Sequence, residues 1–366
     1  ALLKDGKLIE LSKEVENNKF SVGDIFFAKI RKLIPGLNAS FVNVGHKKDG
    51  FLHYHDLGPK LPSLIKFIKQ ITTGKHKDYL LRKFKFESDI SKEGNIDEII
   101  NNQDKVLVQV VKEPISTKGP RVSSELSLAG RFMVLLPFSD RVSISQKIEE
   151  NSEKNRLKRL VQSIKPKGFG IIIRTVAQNQ KVAELDADLQ QLIKRWKNLC
   201  NKLQRIDKYP SKVLSEINRS SSILRDIFDD SFTGIHIDND QELFSEVKDY
   251  INSIAPKKSG IVKSYNETTP IFERFGVERQ IKTAFGKTVS MQKGAYLVIE
   301  HTEALHVIDV NSGKKVDAKK DQEENALEVN IEAAKEIARQ LRLRDMGGII
   351  VVDFIDLKLE KNRKLL

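Results

Sequence analysis

Toward the C-terminus, two apolar segments flank a segment with the periodicity of an amphipathic helix. Few architectures accommodate this order of elements. Residues 305–308 and 349–352 are apolar runs that predict buried strands, and an amphipathic helix is predicted between them from about residue 324 to 344. Gly347 and Gly348 follow that helix, where glycine commonly forms the C-cap. Because such a unit covers a sheet with a helix, the region predicts an α/β layer architecture.

Short apolar runs separated by turns such as Pro35-Gly36 fill residues 20–57, and a further strand is predicted at 106–111. Closely spaced strands of this kind are typical of a small β-barrel. The intervening residues 60–104 are rich in lysine, isoleucine, asparagine and aspartate without a clean period, so they predict an insertion or a long loop.

The middle of the chain predicts strands at 131–137 and 170–176, separated by a basic helical segment. A long amphipathic helix follows, because its apolar residues recur at alternating spacings of three and four. A helix packed on its own domain is favoured over a partner-binding coiled coil, since the repeat is short. Cys200 lies beside the stripe and is predicted to be packed rather than reactive. The stripe consists of Val182, Leu185, Leu189, Leu192, Trp196, Leu199 and Leu203.

Length and charge indicate a multidomain protein with a polyanionic partner. A chain of 366 residues exceeds the size at which single cores usually divide, so two or more domains are expected. Its 63 lysine and arginine residues outnumber 50 aspartate and glutamate residues, which leaves a formal charge of +13. This excess favours nucleic acid or an anionic membrane surface, although a merely well-solvated surface is the alternative.

Cysteine content and hydropathy exclude several protein classes. Cys200 is the only cysteine, so neither an internal disulfide nor a thiolate-based zinc site is expected, and a cytoplasmic location is predicted. No apolar run reaches the roughly 18 residues that a transmembrane helix needs, and the N-terminus lacks the layout of a signal peptide. Neither membrane insertion nor secretion is therefore expected.

Two aspartates end apolar runs in the α/β region. Asp309 directly follows residues 305–308, and Asp353 directly follows residues 349–352. Ligands of open α/β sheets gather at the carboxyl ends of strands, so these carboxylates are candidate site residues. Asn311 points to the same side of an extended strand as Asp309. This donor set suits Mg²⁺, which takes few protein ligands and keeps several waters. The alternative is that both aspartates only cap turns at strand ends.

Several segments match a known family in order and spacing, and together they resemble the ribonuclease E/G family. In that family two aspartates and an asparagine bind Mg²⁺, which activates water to cleave single-stranded, AU-rich RNA to products with a 5′-phosphate. The resemblance implies an endoribonuclease of RNA processing and decay. Its catalytic residues would be Asp309, Asn311 and Asp353, with Asp309 and Asp353 as the metal ligands. The matching segments are Thr302-Glu303-Ala304-Leu305, Ile308-Asp309-Val310-Asn311-Ser312, residues 332–334, 337–345 and 347–356, and residues 2–6.

The resemblance also implies a domain organisation of the α+β multidomain class. An RNase H-like domain would comprise residues 1–19 and 219–284. Inserted into it would be an OB-type RNA-binding barrel at 20–124, with an insertion at about 60–104, and a 5′-sensor domain at 125–218. A DNase I-like α/β nuclease domain would follow at 285–366.

RNA-binding residues follow from the same resemblance. Phe41 and Phe51 match positions where the family stacks bases, and Lys118 matches a basic RNA contact. Stacking on aromatic rings contributes about 1–3 kcal/mol per base without demanding a sequence, and lysine neutralises phosphate. Without the resemblance, Phe41 and Phe51 would more often belong to the barrel core.

A pocket for a 5′-monophosphate is implied at Gly130, Val134, Arg174 and Thr175. An arginine fork, a hydroxyl and backbone N–H groups are suitable partners for that dianion. Without the resemblance, Arg174 would be an ordinary exposed residue at a strand end.

Some features depart from the family. Its zinc-linking cysteine pair follows the nuclease domain and has no counterpart in this sequence, so zinc-mediated assembly is not inferred. Gly313-Lys314-Lys315 replaces a more typical pattern of a small residue followed by arginine. Homo-oligomerisation and attachment of RNA-decay partners stay open. The alternative functions are a non-catalytic RNA-binding or ribosome-associated protein and a nuclease directed at DNA.

Overall fold

The structure is a computed structural model that describes residues 1–13, 20–75, 79–114, 118–216, 219–229, 231–291, 294–313 and 321–366. The chain divides into two compact units. One comprises Ala1–Val15 together with Thr233–Leu366, and the other comprises Glu16–Phe232. They are called the terminal unit and the central unit below.

The helices and strands are numbered along the chain. The strands are β1 Leu2–Lys4, β2 Lys7–Glu10, β3 Ile25–Ile34, β4 Ala39–Asn43, β5 Gly50–His53, β6 Lys105–Lys112, β7 Arg121–Ser123, β8 Leu128–Ala129, β9 Met133–Pro137, β10 Val142–Ile144, β11 Phe169–Ile173, β12 Ser211–Leu214, β13 Ile235–Asp238, β14 Val262–Tyr265, β15 Thr288–Ser290, β16 Tyr296–His301, β17 Leu305–Asn311 and β18 Ile349–Asp353. The helices are α1 Leu61–Thr72, α2 Asn151–Ile164, α3 Val182–Leu203, α4 Arg219–Ile227, α5 Gln241–Ile254, α6 Ile271–Arg274, α7 Val277–Ala284, α8 Gln322–Leu343 and α9 Glu360–Leu365.

A closed β-barrel forms the first part of the central unit. Its strands pair in the order β3, β4, β5, β7 and β6, and β6 pairs again with β3. This closure removes the exposed strand edges that an open sheet would present. The small barrel predicted from the sequence is confirmed, with the strand order of an OB-like fold.

Within residues 60–104, where the sequence predicts an insertion or a long loop, the structure contains a helix. Leu61–Thr72 is helix α1, and Leu64, Phe67 and Ile71 on it are buried. Leu61, Leu64, Ile68 and Ile71 recur at spacings of three and four, but intervening lysine and isoleucine residues obscured this period. The helix contributes to the core of the central unit.

Beyond the barrel and α1, the central unit contains a four-stranded sheet in the order β10, β11, β9 and β8, accompanied by α2 and α3. Helix α3 has the predicted bounds, and Trp196 and Cys200 on it are buried. The ring of Trp196 stacks on that of Phe67, with centroids 5.7 Å apart. Packing of α3 on its own unit is therefore confirmed.

The terminal unit contains a second four-stranded sheet in the order β15, β16, β17 and β18, in which β17 and β18 are parallel. Leu297, Ile308 and Ile337 of α8 form part of its core. The prediction that residues 349–352 are fully buried is wrong. Ile349 and Val351 are 62% and 47% exposed, because β18 is an edge strand and they lie on the face opposite α8.

The N-terminal hairpin belongs to the terminal unit. Strands β1 and β2 are antiparallel, and Leu8 is buried with Val277 and Leu343. Leu8 N donates to Gln280 Oε1 at 2.8 Å, and Arg339 Nη1 donates to Leu8 O at 2.6 Å. None of the helices that the structure describes combines the length and apolar character needed to cross a membrane.

Replacement of Phe67 tests whether α1 is part of the core. We expect Phe67→Ala to lower the free energy of unfolding by about 3–5 kcal/mol, because it deletes a buried ring. Phe86→Ala, which removes a ring that is 37% exposed, should cost clearly less. Urea unfolding followed by the fluorescence of Trp196, the only tryptophan, measures both. Equal losses in the two variants would contradict the core role of α1.

Candidate functional site

Asp309 and Asp353 lie side by side on neighbouring parallel strands. They are register partners in the pairing of β17 with β18. Adjacent strands are about 4.7–4.9 Å apart, and partners in register project from the same face. Both aspartates are exposed, whereas Ile308, immediately before Asp309, is buried against α8. The fold thus presents two carboxylates together on the open face of the sheet, the face that also carries Val351.

Asn311 completes this group of polar side chains. It follows Asp309 by two residues on β17, so it shares the open face, and its Nδ2 donates to Asp309 Oδ2 at 2.8 Å. The structure therefore brings together the predicted residues Asp309, Asn311 and Asp353. The described residues contain no group of three or more histidine, cysteine, aspartate or glutamate side chains with metal-site geometry. Two carboxylates beside an amide are consistent with Mg²⁺, which commonly binds through one or two protein carboxylates.

Helix α8 anchors the chain just after Asp353. Asn330 is fully buried. Its Nδ2 donates to Ile355 O at 2.8 Å, and its Oδ1 accepts from Ile355 N at 3.0 Å. Glu323 accepts from the backbone N–H groups of Leu359 and Lys358 at 2.9 and 3.0 Å. These hydrogen bonds lower the pKa of Glu323, and the one from Leu359 contributes most. The segment after Asp353 is therefore fixed to the helix that covers the opposite face.

The barrel places Phe41 and Phe51 together. They are register partners on β4 and β5, with ring centroids 6.1 Å apart. Both are half-buried, while Val42 and Leu52 beside them are fully buried, so the two rings lie on the outer side of the barrel. Lys118 is exposed, in the chain that leads to Pro120, whose O accepts from Phe51 N at 2.8 Å.

Arg121 lies next to this aromatic pair, because it is the register partner of Phe51 on β7. Its Nε donates to Asp56 Oδ2 at 2.9 Å, and this hydrogen bond raises the pKa of Arg121. Arg121 is thus held beside Phe51 by an ion pair with Asp56.

The residues predicted to bind a 5′-monophosphate lie on and around β8, β9 and β11. Arg174 Nη1 donates to Gly130 O at 3.0 Å, and Thr175 Oγ1 lies 2.8 Å from Ser145 Oγ. Val134 is half-buried on β9, where it pairs with Ala129 of β8 and Ile172 of β11. Gly130, Val134, Arg174 and Thr175 therefore lie in one region, while their role in binding phosphate stays a prediction.

Comparisons with known proteins agree with the motif resemblance. The model of the family described as "Ribonuclease E/G family" matches residues 127–366. The chain belongs to the ribonuclease E/G family. It is 35% identical to Ribonuclease G of Haemophilus influenzae over 99% of this chain and 70% of that relative. It is 31% identical to Ribonuclease G of Escherichia coli strain K12 over 100% of this chain and 70% of that relative. It is 34% identical to Ribonuclease E of a Nostoc species over 95% of this chain and 47% of that relative.

Two acidic residues of the phosphate region were missed by sequence reasoning. Asp188 on α3 accepts from the backbone N–H groups of residues 131–133, at 3.0, 2.9 and 3.2 Å. Burial raises the pKa of Asp188, and these donors oppose the shift. A Cβ at Gly130 would lie 2.6 Å from Asp188 Oδ2, so a glycine is needed there. Asp226 on α4 pairs with Arg174 at 2.8 Å. Neither aspartate has a distinguishing pattern in the sequence.

The anchoring role of Asn330 is testable. We expect Asn330→Ala to leave the backbone N–H and C=O of Ile355 without partners and to cost about 1–3 kcal/mol of stability per buried group. Hydrogen–deuterium exchange at the Ile355 amide should accelerate. The control is Asn325→Ala, whose Nδ2 donates to Asp321 O of its own helical turn. Unchanged exchange at Ile355 in Asn330→Ala would show that other contacts hold this segment.

Proposed function

We propose that this chain is an endoribonuclease that cleaves single-stranded RNA, with Asp309, Asn311 and Asp353 as its catalytic residues. The observation that carries the proposal is the register pairing of Asp309 with Asp353 on the open face of the sheet. Membership of the ribonuclease E/G family and two relatives named Ribonuclease G support the same class of reaction.

Asp309 and Asp353 would hold Mg²⁺, and Asn311 would orient the Asp309 carboxylate through its 2.8 Å hydrogen bond. When bound, the ion supplies Lewis-acid chemistry, which lowers the pKa of a coordinated water and offsets charge on the phosphodiester. The exposed position of both carboxylates leaves room for an RNA backbone beside them. Attack of water at phosphorus with the 3′-oxygen as the leaving group, which takes up a proton, would give products with a 5′-phosphate and a 3′-hydroxyl.

The barrel would bind the RNA strand itself. Phe41 and Phe51 present partly exposed rings for stacking, and Lys118 supplies positive charge nearby. The formal charge of +13 on the whole chain favours such a polyanionic partner. Stacking is tolerant of base identity, so this surface would bind single strands of any sequence. The proposed preference for AU-rich RNA rests on the family resemblance alone.

The region of Gly130, Val134, Arg174 and Thr175 would recognise a 5′-monophosphate. Arg174 is only partly exposed, and its guanidinium is oriented by Gly130 O. A planar arginine fork is suited to phosphate oxygens. We further propose that residues 1–19 and 219–284 form the RNase H-like domain of the family and that residues 285–366 form its DNase I-like domain.

The metal site is tested by charge-neutral substitutions. We expect Asp309→Asn and Asp353→Asn each to slow Mg²⁺-dependent cleavage of a 5′-monophosphorylated single-stranded RNA by about 100-fold or more, because metal stabilisation of the transition state contributes several kcal/mol. Asp345→Asn is the control, since Asp345 is exposed and has a left-handed backbone that asparagine also adopts.

Unchanged cleavage in both site variants would refute the metal assignment. A wild-type chain that binds RNA but does not cleave it with Mg²⁺ would instead support a non-catalytic RNA-binding protein. Equal cleavage of DNA of the same sequence would contradict RNA specificity.

The stacking surface is tested by binding alone. Phe41→Ala and Phe51→Ala should each weaken the binding of a labelled single-stranded RNA by about 1–3 kcal/mol, because each deletes one stacking ring. Fluorescence anisotropy in the presence of EDTA measures binding without cleavage. Phe86→Ala removes a partly exposed ring from another part of the central unit and should leave the affinity unchanged. A loss of equal size in all three variants would argue against a dedicated stacking site.

A further inference from the structure

Arg174, the proposed phosphate-binding side chain, already contacts an anion of the protein itself. Its Nη2 lies 2.8 Å from Asp226 Oδ1, and its Nη1 donates to Gly130 O at 3.0 Å. One side of the guanidinium fork thus meets a carboxylate and the other a backbone carbonyl. A phosphate that approached Arg174 would encounter Asp226 at the same guanidinium.

Asp226 has a second cationic partner that would remain if it released Arg174. Arg225 Nε donates to the same Oδ1 at 3.2 Å. Arg225 is itself buried and held in place, since its Nη1 donates to Glu216 Oε1 at 2.9 Å and its Nη2 to Ser222 Oγ at 3.0 Å. Displacement of Asp226 from Arg174 would therefore leave its carboxylate still paired with Arg225.

The exposure of the two side chains is suited to such an exchange. Asp226 is 45% exposed and Arg174 is 26% exposed, so the carboxylate can turn toward solvent while the guanidinium stays in the pocket. An ion pair with this exposure is worth little, and an incoming anion can replace it. A terminal phosphate carries more negative charge and more acceptor oxygens than one carboxylate, whereas a 5′-hydroxyl carries no charge and cannot replace it.

We propose that Asp226 is a specificity-determining residue that competes with the 5′-monophosphate of RNA for Arg174. It thereby limits how strongly the protein prefers monophosphorylated over hydroxylated 5′ ends. This inference rests on the proposed 5′-end recognition. If Asp226 only oriented Arg174, removal of its charge would weaken binding of the monophosphorylated strand instead of tightening it.

The test measures binding of one 2′-O-methyl oligoribonucleotide with either a 5′-monophosphate or a 5′-hydroxyl, so that cleavage plays no part. We expect Asp226→Asn to tighten binding of the monophosphorylated strand by up to about fivefold, the range of an exposed ion pair, and to leave the hydroxylated strand unchanged. Asp226→Ser should act in the same direction. Asp97→Asn, at an exposed aspartate elsewhere in the central unit, makes the same change in net charge and should alter neither affinity.

Arg174→Lys separates failure of this inference from failure of the pocket. The expected result is that it reduces the preference for the monophosphorylated strand, and that Asp226→Asn adds nothing when combined with it. If Arg174→Lys loses the preference but Asp226→Asn leaves it unchanged or weakens it, competition by Asp226 is refuted. If Arg174→Lys keeps the full preference, the proposed phosphate pocket is itself wrong.

Discussion

The parallel pairing of β17 with β18 is the constraint on which the candidate catalytic group depends. Side chains of a strand alternate between faces, so a shift of one residue would move Asp353 to the face covered by α8. The observed register instead joins Asp309 to Asp353 and keeps Ile308 in the core. Helix α8 connects these strands, as a parallel pair requires a crossover, and covers the face opposite the carboxylates. Burial of one face of the sheet therefore determines which side chains lie together on the other face.

The backbone that follows Asp353 is fixed by hydrogen bonds, whereas the side chains of Asp309 and Asp353 are accessible. Asn330 binds the backbone of Ile355, and Glu323 binds that of Leu359, so the chain after Asp353 is tied to α8 at several points. The hydrogen bonds from the backbone N–H groups of Leu359 and Lys358 lower the pKa of Glu323. Asp309 and Asp353 nevertheless remain exposed. Such an arrangement limits backbone movement while solvent and substrate reach the reacting groups.

Sequence reasoning succeeded where periodicity is regular and failed where contacts are long-range. The stripe on α3 predicted the bounds of that helix, and family motifs located Asp309 and Asp353. The amphipathic character of α1 was obscured by its mixed composition, and exposure of Val351 depends on which strand forms the sheet edge. The pairing of Asp226 with Arg174 joins residues that are far apart in the chain, and no local pattern of spacing or composition indicates it.

The N-terminal hairpin has a consequence for the order in which this protein can fold during synthesis. The backbone of Leu8 forms hydrogen bonds with the side chains of Gln280 and Arg339, which lie 272 and 331 residues further along the chain. The central unit is translated completely before either partner exists, and contiguous domains generally fold as they emerge. The first strands must therefore wait until α7 and α8 have left the ribosome. Formation of the terminal unit, with the sheet that carries Asp309 and Asp353, thus follows translation of the central unit, and the long sequence separation of these contacts is expected to slow it.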